Sequence, residues 1–136
     1  QEEADRGLQK LQTYLEFQRI ADKIKNDLLI FLIEQKQKGN NVAAYGAAAK
    51  GNTLLNYAGV RPDLLPFVCD AARAKQGQFM PGSHIPILPP EYLAKVQPNF
   101  VLILPWNILE EVKNQNERVR RWNGRFVTAV PALEIL

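Results

Sequence analysis

The amino-acid sequence predicts an α/β fold: an open parallel sheet of about five strands with flanking helices, preceded by a long N-terminal helix. Three observations predict it. Residues from about Glu3 to Lys38 hold no proline and one glycine, Gly7, so little interrupts a long helix. From Val42 onward, short apolar runs alternate with helix-forming stretches, the pattern of βα units with right-handed crossovers. One run, Phe100 to Leu104, is apolar throughout, as a strand buried on both faces requires.

The elements follow in order. The first helix is rich in Leu, Ile, Gln, Lys and Glu and stops at Gly39-Asn40-Asn41. At about 100° per residue, Leu8, Leu11 and Leu15 share one face, while Phe17, Ile20, Ile24, Leu28 and Phe31 share a nearly opposite one. One domain surface does not readily bury both stripes. Either the helix breaks near Glu16, or its first half packs on material outside this chain. The start at Gln1, inside a polar helical pattern, favours the second and suggests part of a longer protein. Val42–Tyr45 is the first strand and Lys50–Ala58 a short helix. Phe67–Asp70 is the second strand, bounded by Pro66 and the polar stretch from Ala71 to Gln78. Ile85-Pro86-Ile87-Leu88 is a short third strand with proline where an edge tolerates it. Pro90–Val96 is a brief helix with proline near its first turn. After the fourth strand, Phe100–Leu104, Asn107 is placed to cap a helix running to about Arg121. Phe126–Ala129 closes the sheet. Residues 1–39 thus read as a connector helix and 40–136 as the sheet domain.

Composition narrows the classes of function. With 46% hydrophobic and 23% charged residues, the 136-residue chain has the make-up of an ordinary globular domain. A formal charge of +3 is too small to argue for nucleic acid, and Lys113, Arg118, Arg120, Arg121 and Arg125 read as a solvated basic face. No apolar run approaches the ~18 residues that span a bilayer. A lone cysteine, Cys69, forms no internal disulfide, so a cytoplasmic setting is expected. One histidine and one cysteine make a zinc site within this chain improbable, and no metal is expected here.

Candidate chemistry concentrates after the first strand. In Gly46-Ala47-Ala48-Ala49-Lys50-Gly51, small residues let main-chain N–H groups approach a ligand. The helix start there offers partial positive charge to an anion. Lys50 adds a full charge that opposes the helix dipole, which suggests a compensating anion. The run resembles the dinucleotide fingerprint with Ala48 at the middle glycine, an exchange that argues against a close pyrophosphate. Asp70 ends the second strand, where a carboxylate can accept from a ribose hydroxyl. The competing reading is a tight strand–helix turn with no ligand. His84, between Pro81 and Pro86, is either a positioned ligand contact or a histidine that holds its own loop. Trp106 and Asn107 follow the fourth strand at its carboxyl end, where open α/β sheets bind ligands. They serve either to stack on and hydrogen-bond a nucleotide, or as rim packing and a helix cap. Cys69 reads as a small core residue.

Taken together, several segments resemble a known family. Tyr45 to Asn56, then Asp70, Lys75-Gln76-Gly77, Pro81-Gly82-Ser83-His84-Ile85-Pro86-Ile87 and Leu104-Pro105-Trp106-Asn107 occur in this order. They resemble the Rossmann-like C-terminal domain of S-adenosylmethionine-dependent sugar C-methyltransferases, which act on nucleotide-linked 4-keto-deoxy sugars. The likeness runs over about residues 40–130, and the long helix is similar to the connector before that domain. Ser83 stands where the family commonly has threonine, and Ala71-Ala72 where it often has Asn-Pro. The resemblance implies a larger enzyme with a zinc domain and a central methyltransferase domain, S-adenosylmethionine and zinc both bound outside this chain. The nucleotide-linked sugar would lie between the central domain and this one. Gly46, Ala47, Lys50, Gly51, Asn52 and Thr53 would face the diphosphate or sugar, with Asp70, His84, Trp106 and Asn107 at the same crevice. No catalytic residue is expected here, so the chain alone would be inactive. Two other classes remain: a stand-alone NAD- or coenzyme-A-binding module, and an interaction domain whose turn is empty and whose long helix mediates assembly.

Overall fold

A computed structural model describes residues 2–136. Helix α1 runs unbroken over Glu2–Gln37, so the break near Glu16 does not occur. Its 36 residues make a rod of about 54 Å at 1.5 Å per residue. It ends where Gly39 takes φ +78° and the Asn40 N–H donates back to the Gln35 carbonyl at 2.9 Å. Then follow β1 (Val42–Tyr45), α2 (Ala49–Ala58), β2 (Val68–Cys69), β3 (Ile87–Leu88) and α3 (Glu91–Val96). The chain continues with β4 (Phe100–Ile103), α4 (Leu109–Gln115), β5 (Arg125–Thr128) and β6 (Glu134–Ile135).

The strands form one sheet in the order β3-β2-β1-β4-β5-β6. The first five are parallel, with Ala44 opposite Val68 on one side and Leu102 on the other. The sixth pairs antiparallel to β5. It was not expected, because Glu134-Ile135 is too short to carry an alternation. Side chains alternate between two cores, as a strand period of two requires. Val42, Ala44, Leu102 and Leu104 pack with Leu28, Phe31 and Leu32 of α1 and Leu55 of α2. Ala43, Tyr45, Val101 and Ile103 pack with Leu93 of α3 and Val112 of α4 on the other side. The result is a three-layer, Rossmann-like α/β domain.

Two expectations need correction. The helix assigned to Asn107–Arg121 is three pieces: a 3₁₀ turn at Trp106–Ile108, α4, and a second 3₁₀ stretch at Glu117–Trp122. Asn107 lies inside the first turn, and Ile108 holds the position before α4 with no side-chain cap. Buried Asn116 interrupts the later part, its Nδ2 donating to the Val112 carbonyl at 2.9 Å. The second correction concerns α1. Of its apolar stripe only Leu28 and Phe31 are buried, whereas Phe17 and Ile20 are 69% and 60% exposed. The ten-residue α2 is too short to lie under them.

Candidate functional site

The carboxyl ends of β1 and β4 are neighbours at the point where the strand order reverses, the place where open α/β sheets bind ligands. Gly46 leaves β1 at φ +90°, and a Cβ there would come within 2.5 Å of Pro105 Cδ. The turns after β1 and β4 therefore touch. Five residues on, a Cβ at Gly51 would meet Leu104 Cβ at 2.6 Å, so α2 lies directly against the end of β4. Both glycines are required by packing before any ligand is considered.

The turn between them is fastened by side chains from β2 onward. The Ala47 N–H donates to Asp70 Oδ2 at 2.7 Å, and the Ala72 N–H to Asp70 Oδ1 at 2.8 Å. Lys75 Nζ donates to the Ala47 carbonyl at 2.9 Å, and Gln76 Nε2 to the Asp70 carbonyl at 2.9 Å. Each Asp70 carboxylate oxygen thus accepts one backbone N–H. Ala48, extended at φ −83°, supplies no side-chain cap to α2. The N–H groups of Ala49, Lys50 and Gly51 have no hydrogen-bond partner among the described residues. The exposed Lys50 side chain makes no ion pair among them either. An anion at this helix start would meet free donors and a cation together.

Cavities lie on either side of that helix start. One, of about 370 Å³, is lined by Ala47, Ala48, Ala49, Asn52, Lys75, Gln78 and Phe79, among others. Asn52 Oδ1 is buried there without a partner. The other, of about 620 Å³, is a groove between α1 and α2 lined by Phe17, Ala21, Ile24, Lys50, Thr53, Leu54, Tyr57, Trp106 and Val130. Thr53 Oγ1 donates to the Ala49 carbonyl at 3.1 Å, which leaves the oxygen able to accept.

The structure therefore brings Gly46, Ala47, Lys50, Gly51, Asn52, Thr53, Asp70 and Trp106 around one helix start, but Ala47 and Asn52 line one cavity, Lys50, Thr53 and Trp106 the other, and Gly46, Gly51 and Asp70 line neither. His84 and Asn107 stand apart, exposed and lining neither. His84 takes φ +59°, and its ring tilts against Phe79 at 6.5 Å between centroids. Its loop is tied to α2 by Asn56, whose Nδ2 donates to the Pro81 carbonyl at 2.9 Å. Cys69 is fully buried, and burial pushes its thiol up to about 12, far from a reactive thiolate. Sequence reasoning missed Tyr57 and gave Lys75 no role. Tyr57 lies seven residues beyond Lys50 on α2, a spacing that puts both on one helix face. No group of three or more metal-ligating side chains occurs among the described residues.

A model of the C-methyltransferase C-terminal domain matches residues 1–131 of the chain. The chain belongs to the C-methyltransferase C-terminal domain family. This C-methyltransferase domain is also 31% identical over 135 residues to the C-methyltransferase NovU of Streptomyces niveus, across 99% of its own length and 32% of NovU. It therefore spans about a third of that curated relative. In fold it is similar to the UDP-D-quinovosamine 4-dehydrogenase of Vibrio fischeri. That likeness has a TM-score of 0.53 at 22% identity, covering 71% of this chain and 93% of the other. At that identity the likeness speaks for the Rossmann-like architecture alone. No helix of the domain, among the described residues, is long and apolar enough to cross a membrane.

Proposed function

We propose that this domain holds the substrate of an S-adenosylmethionine-dependent C-methyltransferase, a nucleotide-linked 4-keto-deoxy sugar, by its diphosphate. The observation that carries the reading is the start of α2, where three N–H groups without partners among the described residues stand beside Lys50, which makes no ion pair among them and lines one of two flanking cavities. Membership of the C-methyltransferase family supports the reaction class. C-methylation beside a ketone needs a base to remove the α-proton and a polarised carbonyl to hold the resulting charge. This chain's part is to bind and orient. Lys50 and the α2 amides take the diphosphate, Thr53 and Asn52 offer acceptors to hydroxyls, and Trp106 offers a face to a base or sugar. Asp70 acts indirectly, by fixing the turn that aims the amides. His84 and Asn107 line neither cavity, so only a ligand extending past both would reach them.

The base and the methyl donor belong to a central domain outside this chain, and zinc to a further one. When bound there, S-adenosylmethionine supplies an electrophilic methyl group. Asp70, the carboxylate at the end of β2, accepts one backbone N–H on each oxygen and keeps further acceptor capacity. Titration calorimetry tests the reading. Nucleoside diphosphates should bind the chain, and Lys50→Ala should weaken them about tenfold to a hundredfold, the worth of one charge-assisted contact of roughly 1.5–3 kcal/mol. An unchanged affinity in Lys50→Ala removes Lys50 from the site.

A further inference from the structure

Every main-chain N–H in the turn after β1 has a partner within the protein until α2 begins. The Gly46 N–H donates to the Cys69 carbonyl at 2.7 Å, the Ala47 N–H to Asp70 Oδ2 at 2.7 Å, and the Ala48 N–H to the Gly46 carbonyl at 2.8 Å. Free donors start at Ala49. A negative charge stands next to them, because the Asp70 carboxylate is fixed on the Ala47 N–H. That carboxylate opposes the attraction that Lys50 alone offers to an incoming anion. Lys75 supplies the balance. Its Nζ donates to the carbonyl of the same Ala47 at 2.9 Å, and it makes no ion pair among the described residues. An ammonium carries three donors, and the bond to Ala47 uses only one of them. Lys75 lines the cavity on one flank of the helix start, and Lys50 the groove on the other. Asn52 Oδ1 is buried without a partner in the wall of the Lys75 cavity. A bare phosphate brings no donor to that oxygen, whereas the hydroxyls of a nucleoside or a sugar do.

We propose that Lys75 is a second diphosphate contact, so that the start of α2 takes one phosphoryl group toward Lys75 and the other toward Lys50. The inference rests on the reading above that this helix start holds a diphosphate, and it adds a residue and a selectivity. Each phosphoryl group of a nucleotide-linked sugar carries one negative charge, and here each meets its own ammonium. Lys75 also offsets the Asp70 carboxylate and leaves Lys50 its full effect. In the free protein the bond to Ala47 holds the Lys75 ammonium at the turn, so little side-chain freedom is lost when the anion arrives. A monophosphate engages one of the two cations and a diphosphate engages both. The site therefore selects diphosphates.

Titration calorimetry and phosphorus NMR of the 136-residue chain with uridine diphosphate test the assignment. Lys75→Met should weaken binding about tenfold, and Lys75→Arg, which keeps the cation, should hold it within about threefold. In the bound ligand, Lys75→Met and Lys50→Ala should each shift a different one of the two phosphorus signals. A lysine that only braces the Ala47 carbonyl gives no such division. Weakened binding with both variants moving the same signal overturns the proposal and leaves Lys75 a brace of the turn. Unchanged affinity in Lys75→Met, while Lys50→Ala weakens binding, also overturns it and spares the reading of the site. Absence of binding by the unsubstituted chain removes that reading and the proposal with it.

Discussion

Gly51 sets how closely α2 approaches the sheet, and so where its free amides point. A methyl group there would lie 2.6 Å from Leu104 Cβ, an atom fixed to the backbone of the strand end. Gly51→Ala should therefore push α2 outward and cost about 1–3 kcal/mol as an overpacked contact, read as a lower midpoint in urea. Gly46→Ala should cost more, because it adds strain at φ +90° to a clash with Pro105. Asp70 allows a sharper test. Asparagine offers one acceptor and one donor to two backbone N–H groups that now meet two carboxylate oxygens, so one N–H loses its partner. Asp70→Asn should cost about 1–3 kcal/mol and speed amide exchange at Ala47. If stability is kept while nucleoside diphosphate binding is lost, Asp70 touches the ligand directly. The carboxylate's place at the end of a strand is visible in the sequence. Its choice of partner is not, because the two N–H groups belong to turns whose approach only the fold defines.

At the level of elements, the junction of α1 and α2 depends on an exposed network. The Tyr57 hydroxyl donates to Asp22, Gln18 Nε2 donates to Asp22 Oδ1 at 3.2 Å, and Lys25 Nζ lies 5.2 Å from the Tyr57 ring centroid. The hydrogen bond from Tyr57 holds the Asp22 carboxyl below its ordinary range, with help from Gln18, and the same bond holds the Tyr57 hydroxyl above its own. The signs follow from linkage. For Asp22 the contribution is full above about pH 4, the ordinary carboxylate range, and is lost as pH falls through the lowered value. For Tyr57 it is full below about pH 10 and is lost as pH rises through the raised one. Tyr57→Phe should raise the Asp22 carboxyl, followed by NMR, toward its ordinary range, with the Gln18 bond still holding it somewhat below. An unchanged Asp22 would mean that Tyr57 is not its partner in solution. This contact was hidden because α1 carries two apolar stripes, which draw attention away from Gln18 and Asp22. The strands were easier to read, since Val42–Tyr45 and Phe100–Leu104 are apolar runs bounded by breakers. The helix after β4 was misread, because nothing in Asn107–Arg121 reveals that buried Asn116 turns its amide back on the Val112 carbonyl.

At the scale of the whole molecule, five parallel strands were legible because each βα unit repeats the same grammar, whereas β6 depends on a tertiary edge that two residues do not announce. The division of the expected site between two cavities was equally invisible, since it follows from α2 standing between them. Cys69 reports on the integrity of this assembly. It lies in β2, flanked by β1 and β3, with its side chain in the core shared by Leu93 and Phe126. Its thiol is reached only when the sheet opens, so disulfide-exchange labelling at pH 8 should run about a thousandfold or more slower than in the unfolded chain, as a stability of at least ~5 kcal/mol implies. The raised thiol adds a dependence on pH. In the unfolded chain it ionises near pH 8.5, while burial keeps the folded thiol protonated until about 12. A raised value contributes stability that is full below the unfolded pKa and is lost as pH climbs toward the folded one. Stability in urea should thus decline from about pH 9 upward, and Cys69→Ala should flatten part of that decline. Labelling as fast as in the unfolded chain would mean that β2 opens independently of β1, and the turn that Asp70 holds would open with it.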